Sequence, residues 1–213
     1  MKYTHILWDF NGTIIDDVAT GIKSVNTLLE RRGLPTVDTL ERYHEVFTFP
    51  ITKYYINLGF DFEKEPFSEI AIEWTEQNEE NIKKAPLHDG VREALEFFKE
   101  KNIPQIILSA TKRDMLINHI KGLCVYEYFD EFLGLDNIHA ESKVEIGIEW
   151  MKNNKGAVPL MIGDTTHDSE VAEKMGCECI LIAKGHQSVQ TLMATGRKIY
   201  ISLDEAIKDI FDK

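Results

Sequence analysis

The sequence predicts an α/β protein in which helices cover both faces of an open parallel sheet and a helical insert follows the first strand. Two patterns predict this class. Short, continuous apolar runs alternate with helical segments, and such runs are typical of parallel strands that are buried on both faces. One segment breaks the alternation, because residues 16–84 show helical periodicity and almost no strand signal.

Six apolar runs are predicted to form the sheet. In chain order they cover residues 6–8, 103–108, 132–135, 160–162, 179–183 and 199–201, and the third is the weakest. Between these runs, apolar residues recur at helical spacing, for example at Val91, Ala94, Leu95 and Phe98. Strands that alternate with helices in this way predict right-handed crossovers within one sheet.

The insert is predicted to be a separate helical unit. Its first helix has apolar residues on one face, namely Val18, Ile22, Val25 and Leu29. Residues 61–80 contain eight acidic residues and one lysine, which we interpret as a solvated helix face. We therefore expect a core of residues 1–15 and 85–213 and a helical insert of residues 16–84.

Composition limits the functions that this chain can have. Its 36 acidic and 24 basic side chains leave a net charge of −12, and a surface of that sign repels nucleic-acid backbones. We find no run of 18 apolar residues that would predict a membrane span. Three cysteines without metal or redox spacing, and an N-terminus without a targeting pattern, indicate a cytoplasmic protein with free thiols.

Three of the predicted strands end in polar residues that can bind a ligand. They are Asp9, Ser109 and Asp164, each at the end of its apolar run. In open α/β sheets the ligand lies in a crevice outside the carboxyl ends of the strands. We therefore expect these three side chains to share one crevice.

A further carboxylate, Asp168, lies four residues after Asp164. By itself, the segment from Asp164 to Asp168 is explained as well by helix capping through Thr166 or Asp168 as by a ligand site. Together with Asp9, however, several carboxylates in one crevice repel each other unless a cation binds, and such hard oxygen ligands suit Mg²⁺. Lys143, at the start of another predicted helix, is either solvent-exposed or an anion clamp in the same crevice.

Four stretches resemble the ordered motifs of the haloacid dehalogenase-like hydrolase superfamily. They are Asp9-Phe10-Asn11-Gly12-Thr13, Ser109, Lys143, and Gly163-Asp164 through Asp168. The resemblance covers nearly the whole chain, and the insert resembles the helical cap of the phosphoglycolate phosphatase-like branch. It implies a Rossmann-like core and a hydrolase of phosphoric monoesters whose substrate is a small phosphorylated metabolite.

The resemblance also implies a role for each matching residue. Asp9 is the nucleophile, which forms an aspartyl-phosphate, and Thr13 steadies the turn. The Mg²⁺ ligands are Asp9, the backbone carbonyl of Asn11, Asp164 and, through water or in support of the others, Asp168. The phosphoryl oxygens are bound by Ser109, the backbone N–H of Ala110 and Lys143.

Asn11 departs from the family pattern, which has an aspartate two positions after the nucleophile. That aspartate protonates the leaving oxygen and then deprotonates the attacking water, whereas an amide can donate a hydrogen bond but cannot transfer a proton. Loss of general acid–base catalysis typically lowers the rate by about 10²–10⁴-fold. We expect slow turnover of alkyl phosphates, unless Asp16, Asp17 or His167 replaces the missing acid.

Two alternatives to a phosphatase stay open at this point. One is a phosphate-binding or regulatory protein without turnover, and the other is a phosphonatase or phosphotransferase of the same family, with Lys23 or Lys53 as its cap lysine. The loop 45–51 contains Phe49 and Pro50 between two helical segments. It either closes over the crevice and binds substrate, or joins two helices through apolar contacts.

Overall fold

The computed structural model describes residues 2–135 and 143–211, and a six-stranded sheet forms its centre. The strands are β1 (His5–Trp8), β2 (Gln105–Lys112), β3 (Glu131–Leu135), β4 (Pro159–Gly163), β5 (Glu178–Ile182) and β6 (Lys198–Tyr200). Their order is β3-β2-β1-β4-β5-β6, and every neighbouring pair is parallel. The predicted open parallel sheet is confirmed, and the strand order reverses between β1 and β4.

Helices occupy most of the rest of the chain. In chain order they are α1 (Val18–Arg31), α2 (Leu40–Val46), α3 (Ile51–Asn57), α4 (Phe67–Ile82), α5 (Val91–Glu100), α6 (Arg113–Gly122), α7 (Val144–Asn153), α8 (Thr166–Met175), α9 (Val189–Met193) and α10 (Leu203–Phe211). A short 3-10 helix covers Tyr126–Tyr128. Within the described ranges, none of these helices has the length and apolar character that crossing a membrane requires.

Helices pack on both faces of the sheet, which explains why the strand residues are apolar without alternation. In β1, Ile6 and Trp8 belong to an apolar cluster with α5, α6 and α10, whereas Leu7 belongs to a cluster with α7, α8 and α9. Successive side chains of a strand point to opposite faces, so each face needs its own cover. All three side chains are fully buried, and each such burial contributes roughly 1.5–3 kcal/mol.

The bounds of β2 differ from the predicted run of 103–108. The strand begins at Gln105, directly after Pro104, whose ring leaves no N–H for a strand ladder. At its other end β2 continues past Ser109 to Lys112, and its pairing with β3 shifts register between Leu108 and Lys112. Regular pairing therefore ends near Ser109, although the strand does not.

The insert between β1 and α5 contains α1 to α4, and residues 16–84 form no strand. It has a hydrophobic cluster of its own, whose buried members all lie between Val18 and Ile70. A separate apolar core is what an independent structural unit requires. The proposal of a cap over residues 16–84 rests on this cluster.

The acidic stretch 61–80 is only partly the solvated helix face that its composition predicts. Glu65 and Glu73 both accept hydrogen bonds from Arg32, which follows α1, and Glu73 also accepts one from Arg31. These contacts join α4 and the segment before it to α1. The other six acidic residues of the stretch are exposed, as predicted.

The two connections between insert and core lie side by side. The N–H of Asp16 donates to the carbonyl of Pro86 over 2.9 Å, and the N–H of His88 donates to the carbonyl of Ile14 over 3.0 Å. Because the two connections are adjacent, the insert is covalently joined to the core at one place. This arrangement is compatible with rotation of the insert about a hinge.

Candidate active site

The carboxyl ends of β1 and β4, which are neighbours in the sheet, hold two buried carboxylates. Asp9 directly follows β1, and Asp164 directly follows β4. Asp168 joins them from the first turn of α8, and carboxylate oxygens of the three residues lie within 4.8 Å of one another. These three side chains could hold a metal ion, and their hard oxygen atoms suit a small divalent cation.

Lys143 lies inside this carboxylate cluster and not at the surface. Its side chain is 2% exposed, and its Nζ donates hydrogen bonds to Asp9 and, over 2.7 Å, to Asp168. Burial lowers the lysine pKa, but the two carboxylates raise it more, so the pKa lies above its usual range. With all three carboxylates ionised, the cluster has three negative charges and, among the described side chains, the ammonium group of Lys143 as its hydrogen-bonded cation.

The two strand-end carboxylates consequently resist ionisation. Burial raises the pKa of Asp9 to about 7, an effect that Lys143 opposes and the charge of Asp168 increases. Burial also raises the pKa of Asp164 well above its usual range. Burial is thus a larger cause than the mutual repulsion of the carboxylates. A cation bound here would favour the ionised forms and lower both pKa values.

Asp164 is fixed by close neighbours on several sides. Its Oδ1 accepts a hydrogen bond from the Thr13 hydroxyl at 3.2 Å, and its Oδ2 accepts one from the backbone N–H of His186 at 2.7 Å. A Cβ atom at Gly12 would lie 2.3 Å from Oδ2, and one at Gly185 would lie 2.0 Å from it. Only glycine allows such a close approach. The Thr13 side chain is therefore one of the groups that hold the Asp164 carboxylate in place.

Asp168 combines the capping role and the site role that its position in the sequence allows. Its Oδ2 accepts hydrogen bonds from the N–H (2.9 Å) and the hydroxyl (2.7 Å) of Thr165, at the start of α8. The same oxygen accepts one from the N–H of Asp164 at 3.2 Å, while Oδ1 accepts the bond from Lys143. Both oxygens are thus engaged, and Asp168 supports Asp164 and Lys143.

Ser109 lies where β2 leaves its regular pairing. The serine is 1% exposed, and its Oγ accepts a hydrogen bond from the N–H of Thr111 at 3.0 Å. A hydroxyl that accepts one bond keeps its own hydrogen for donation. Ala110 lies in the same irregular stretch, between the last regular pair at Leu108 and the shifted pair at Lys112. This stretch can therefore offer N–H and O–H donors to an anion.

Asn11 is held between two side chains. Its Nδ2 donates to Asp17 Oδ2 over 2.7 Å, and the Thr111 hydroxyl donates to its Oδ1 over 2.8 Å. Of the three residues considered as a replacement acid, Asp17 is the one that contacts Asn11 among the described side chains. Asp16 is exposed, and His167 is half-buried in α8.

His186 is a residue of the site that the sequence reasoning missed. It is buried, with Nε2 3.2 Å from Asp17 Oδ1 and Nδ1 2.7 Å from the hydroxyl oxygen of Tyr43. Burial lowers its pKa, but the charge of Asp17 outweighs that effect and raises the pKa to about 9. For the carboxyl group of Asp17 the directions are reversed. Burial raises its pKa, but the charge and the hydrogen bond of His186 lower it more, so the pKa lies below its usual range. The strand-end pattern that predicts Asp9 also applies here, because His186 lies four residues after β5.

Aromatic residues of the insert stack on two histidines of the core. The ring of Phe47 stacks on His186 with centroids 5.0 Å apart, and the ring of Phe49 stacks on His167 with centroids 4.7 Å apart. Pro50 is exposed and directly precedes α3. Both histidines adjoin the carboxylate cluster, so the loop between α2 and α3 covers one side of it.

A comparison with known families agrees with these motifs. Residues 6–182 match the family described as haloacid dehalogenase-like hydrolase, and this range is more than half of the chain. The chain belongs to that family. The resemblance that the motifs predict is confirmed, as is the prediction that this haloacid dehalogenase-like protein is a hydrolase.

Named relatives of this haloacid dehalogenase-like hydrolase span most of its length. The phosphoglycolate phosphatase of Photobacterium profundum is 22% identical over 219 residues, which cover 96% of this chain and 94% of the relative. A protein of Caldanaerobacter subterraneus subsp. tengcongensis, provisionally named a pyrophosphatase, is 23% identical over 190 residues, which cover 85% of this chain and 82% of the relative.

A solved structure shows the same fold. The haloacid dehalogenase-like family hydrolase of Streptococcus pneumoniae superposes with a TM-score of 0.82 at 18% sequence identity, and 98% of each chain is covered. A fold of this kind supports many different reactions, so the activity has to be argued from the site.

Proposed function

We propose that this hydrolase is a Mg²⁺-dependent phosphatase, which cleaves small phosphorylated metabolites through an aspartyl-phosphate on Asp9. The observation that carries the proposal is the buried Asp9 carboxylate, which Lys143 contacts and which lies beside Asp164. Positive charge next to a carboxylate nucleophile offsets its repulsion from a phosphate anion. The names of the relatives, phosphoglycolate phosphatase and pyrophosphatase, agree with phosphate as the group transferred.

The donor set of the carboxylate cluster fits a divalent cation. Asp9, Asp164 and the backbone carbonyl of Asn11 would hold it, and Asp168 would support them because both of its oxygens already accept hydrogen bonds. Bound Mg²⁺ would supply positive charge that shields the phosphate and favours the ionised carboxylates. The raised pKa values of Asp9 and Asp164 support this fit, because burial disfavours both ionised forms and the positive charges of Lys143 and His186 offset that effect only in part.

Three groups are proposed to bind the phosphoryl oxygens. Lys143 contributes a cation, Ser109 contributes its O–H, and Ala110 contributes its backbone N–H. Because Lys143 joins Asp9 to Asp168, its ammonium group lies beside the proposed nucleophile. Fixed donors of this kind stabilise the charge on the phosphoryl oxygens during transfer.

Because Asn11 is an amide, we expect the rate at which the phosphate bond is cleaved to depend on how stable the leaving group is as an anion. An amide can donate a hydrogen bond to the leaving oxygen but transfers no proton to it. Acyl phosphates, aryl phosphates and anhydrides such as pyrophosphate release stable anions and need less protonation than alkyl phosphates. We therefore propose them as the better substrates. The aspartyl-phosphate should also hydrolyse slowly, because the attacking water lacks its base.

Residues 16–84 are proposed to act as a cap, which moves relative to the core with hinges near 15–17 and 84–86. The separate hydrophobic cluster and the adjacent connections support this proposal. Phe49 and Pro50 would contact the substrate when the cap is closed. We expect different angles between cap and core in free and phosphate-bound structures, and identical angles would contradict the movement.

A screen for orthophosphate release tests the proposed activity. The full chain is incubated with Mg²⁺ and a panel of acyl, aryl and alkyl phosphates, pyrophosphate and phosphoglycolate, with Asp9→Asn as the control at equal concentration. We expect the kcat/KM of orthophosphate release by the wild-type protein to increase with the acidity of the leaving group, because this ratio covers the steps up to departure of that group. Equal release by Asp9→Asn would show that Asp9 is not the nucleophile.

A second candidate function is phosphate binding without turnover, which the amide at Asn11 favours. Binding of inorganic phosphate without release from any member of the panel would support it. A phosphonatase is disfavoured, because its imine chemistry needs a lysine at the site. The two cap lysines considered for that role, Lys23 and Lys53, are exposed, and the lysine that lies at the site, Lys143, belongs to the core and contacts Asp9 and Asp168.

A further inference from the structure

Asp17 has an unusual role for a residue that directly precedes a helix. At this position an aspartate commonly accepts an N–H of the first helical turn, but the Asp17 side chain makes no such bond to α1. Instead its Oδ2 accepts from Asn11 Nδ2 at 2.7 Å, and its Oδ1 accepts from the N–H of Gly12 at 2.8 Å. The Asp17 carboxylate therefore binds the segment that follows Asp9, and α1 lacks a side-chain cap.

The position of the Asp17 carboxylate is set from two sides. Its Oδ1 contacts both the N–H of Gly12 and the Nε2 of His186, and both the carboxylate and the imidazole are buried. His186 is itself held by the hydroxyl of Tyr43 and the stacked ring of Phe47. With Oδ1 engaged in this way, Oδ2 is left to face the amide of Asn11.

The chemistry of these partners determines which way the Asn11 amide is turned. An ionised carboxylate only accepts hydrogen bonds, so the atom that faces Asp17 must be the nitrogen. The amide oxygen then faces Thr111, whose hydroxyl can donate to it. The opposite orientation would place the amide oxygen against a carboxylate and lose both hydrogen bonds.

This orientation leaves one donor of the amide available. An amide nitrogen carries two hydrogens, and one of them is used by Asp17. The second has no hydrogen-bond partner among residues 2–135 and 143–211. Asn11 is half-buried and lies two residues after Asp9, so this N–H belongs to the segment that begins at the proposed nucleophile.

We propose that Thr111 and Asp17 are positioning residues, which hold the Asn11 amide so that it offers the substrate an N–H donor and not its carbonyl oxygen. The proposal rests on the phosphatase function proposed above. A phosphate and its leaving oxygen are acceptors, so a fixed N–H attracts them while a rotated amide oxygen would repel them. Thr111 acts through Asn11 and is not itself proposed to touch the substrate.

The proposed step needs no proton from Asn11. As Asp9 forms its bond to phosphorus, the bond from phosphorus to the leaving oxygen breaks, and both electrons stay on that oxygen as negative charge. The Asn11 N–H stabilises the charge by a hydrogen bond and keeps its hydrogen. A site that stabilises the leaving oxygen without protonating it suits phosphate anhydrides and acyl or aryl phosphates, whose leaving groups are stable anions.

The first test compares Thr111→Val, which removes the hydroxyl at constant shape, with Thr111→Ser, which restores it. The value of kcat/KM is measured with Mg²⁺ over a series of aryl phosphates of increasing leaving-group pKa. For Thr111→Val we expect a loss of about 3- to 10-fold with the poorest leaving group and a smaller loss with the best. Thr111→Ser should recover most of it. Thr75→Val, in which a helix hydroxyl of α4 is removed, is the matched control.

A double-mutant cycle shows whether Thr111 acts through Asn11. In the Asn11→Ala background the Thr111→Val change should have no further effect, because there is no amide left to orient. An equal loss in both backgrounds, or the same loss for every leaving group, would overturn the proposal. Peptide mapping must confirm that Asn11 is still an amide, since Asn-Gly sequences deamidate on storage.

An NMR experiment decides the inference even if the proposed activity fails. The side-chain NH₂ signals of ¹⁵N-labelled Asn11 are assigned by their loss in Asn11→Asp, and inorganic phosphate is then added. We expect phosphate to shift one of the two N–H signals in the wild-type protein and in Thr111→Ser, and to shift it less in Thr111→Val. Signals that phosphate leaves unchanged, or that are identical in Thr111→Val, would overturn the positioning role. Shifted signals without orthophosphate release from any substrate would refute the phosphatase alone.

Discussion

Two buried clusters of charge lie side by side in this hydrolase, and they differ in whether their charges balance. In one cluster, the carboxylates of Asp9, Asp164 and Asp168 lie together, and Lys143, which contacts Asp9 and Asp168, is their one hydrogen-bonded cation within residues 2–135 and 143–211. In the neighbouring cluster, Asp17 faces His186 one to one. Burial raises the pKa of Asp9 to about 7, and Lys143 offsets this only in part, whereas the charge of His186 brings the pKa of Asp17 below its usual range and the charge of Asp17 raises that of His186 to about 9.

The difference indicates what each cluster is suited to do. An unbalanced cluster of buried carboxylates gains stability when a cation binds, so it is suited to a ligand that supplies positive charge. A balanced pair is complete without a ligand, and removing one partner leaves the other buried without compensation. We therefore expect changes in the first cluster to affect activity and metal binding, and changes in the second to affect stability and positioning.

The largest expected effect is that of Asp9→Asn. Removing the proposed nucleophile should lower orthophosphate release by about 10⁴-fold or more. The melting temperature at pH 8 without metal should not fall, because the substitution also removes a buried negative charge from the unbalanced cluster. Calorimetry and the release assay check both parts, with the exposed Asp16→Asn as the matched control. A clear loss of stability would show that the cluster is balanced after all.

The next effect is the gain expected for Asn11→Asp on alkyl phosphates. The new carboxyl group would stand where the amide nitrogen lies 2.7 Å from Asp17 Oδ2, and two carboxylates so close retain a shared proton near neutral pH. A protonated acid beside the leaving oxygen should raise turnover by about 10²-fold.

Steady-state kinetics on a series of alkyl phosphates measures this gain. The double variant Asn11→Asp with Asp17→Asn removes the second carboxylate and should shift the pH optimum of that gain to lower pH. If the single variant and the fully amidated wild-type protein are equally fast, another residue is the acid, and Asp16 and His167 should be tested before Asp17, whose pKa is lowered.

Metal binding should stabilise the folded protein, and more so at higher pH. The folded-state pKa of Asp9 is about 7, above the ordinary value of 3.8, so the folded chain holds an extra proton between these pH values. The stability of the metal-free protein should therefore fall as pH rises through this range. Mg²⁺ at 100 times its Kd adds about 2.7 kcal/mol, which corresponds to roughly 5–10 °C in Tm.

Differential scanning calorimetry with and without Mg²⁺ measures this shift. We expect a larger increase in Tm at pH 8 than at pH 5, because protons compete with the metal at the lower pH. Asp164→Ala should abolish the shift and reduce Mg²⁺ affinity in titration calorimetry. An unchanged affinity would mean that Asp164 is not a ligand.

The smallest effect is expected for Tyr43→Phe, in the balanced cluster. The change removes the hydroxyl that lies 2.7 Å from His186 Nδ1 and leaves a buried ring nitrogen without that partner. The loss should be roughly 1 kcal/mol, or about 2–4 °C in Tm. Tyr54→Phe, in the same hydrophobic cluster of the insert, is the matched control for loss of a tyrosine hydroxyl. Equal shifts in the two variants would show that the contact with His186 adds nothing.

Parts of the fold were predictable because a local pattern controls them. Continuous apolar runs reveal β1 and β4, since both faces of the sheet are covered, and the polar residue after each run marks Asp9 and Asp164. The end of β2 was not predictable in this way. Its register shift after Leu108 depends on β3, which lies more than 20 residues later in the chain.

By itself, the sequence determined the order of strands and helices, the helical insert and the strand-end carboxylates, because hydrophobic periodicity and chain order express these features directly. Only the tertiary structure decided that Lys143 is buried against Asp9, and that Asp17 turns from α1 toward Asn11 and His186. These side chains are directed by partners as far as 134 and 169 residues away. A local pattern specifies the path of the backbone, whereas the direction of a polar side chain depends on which hydrogen-bond partners the completed fold places around it.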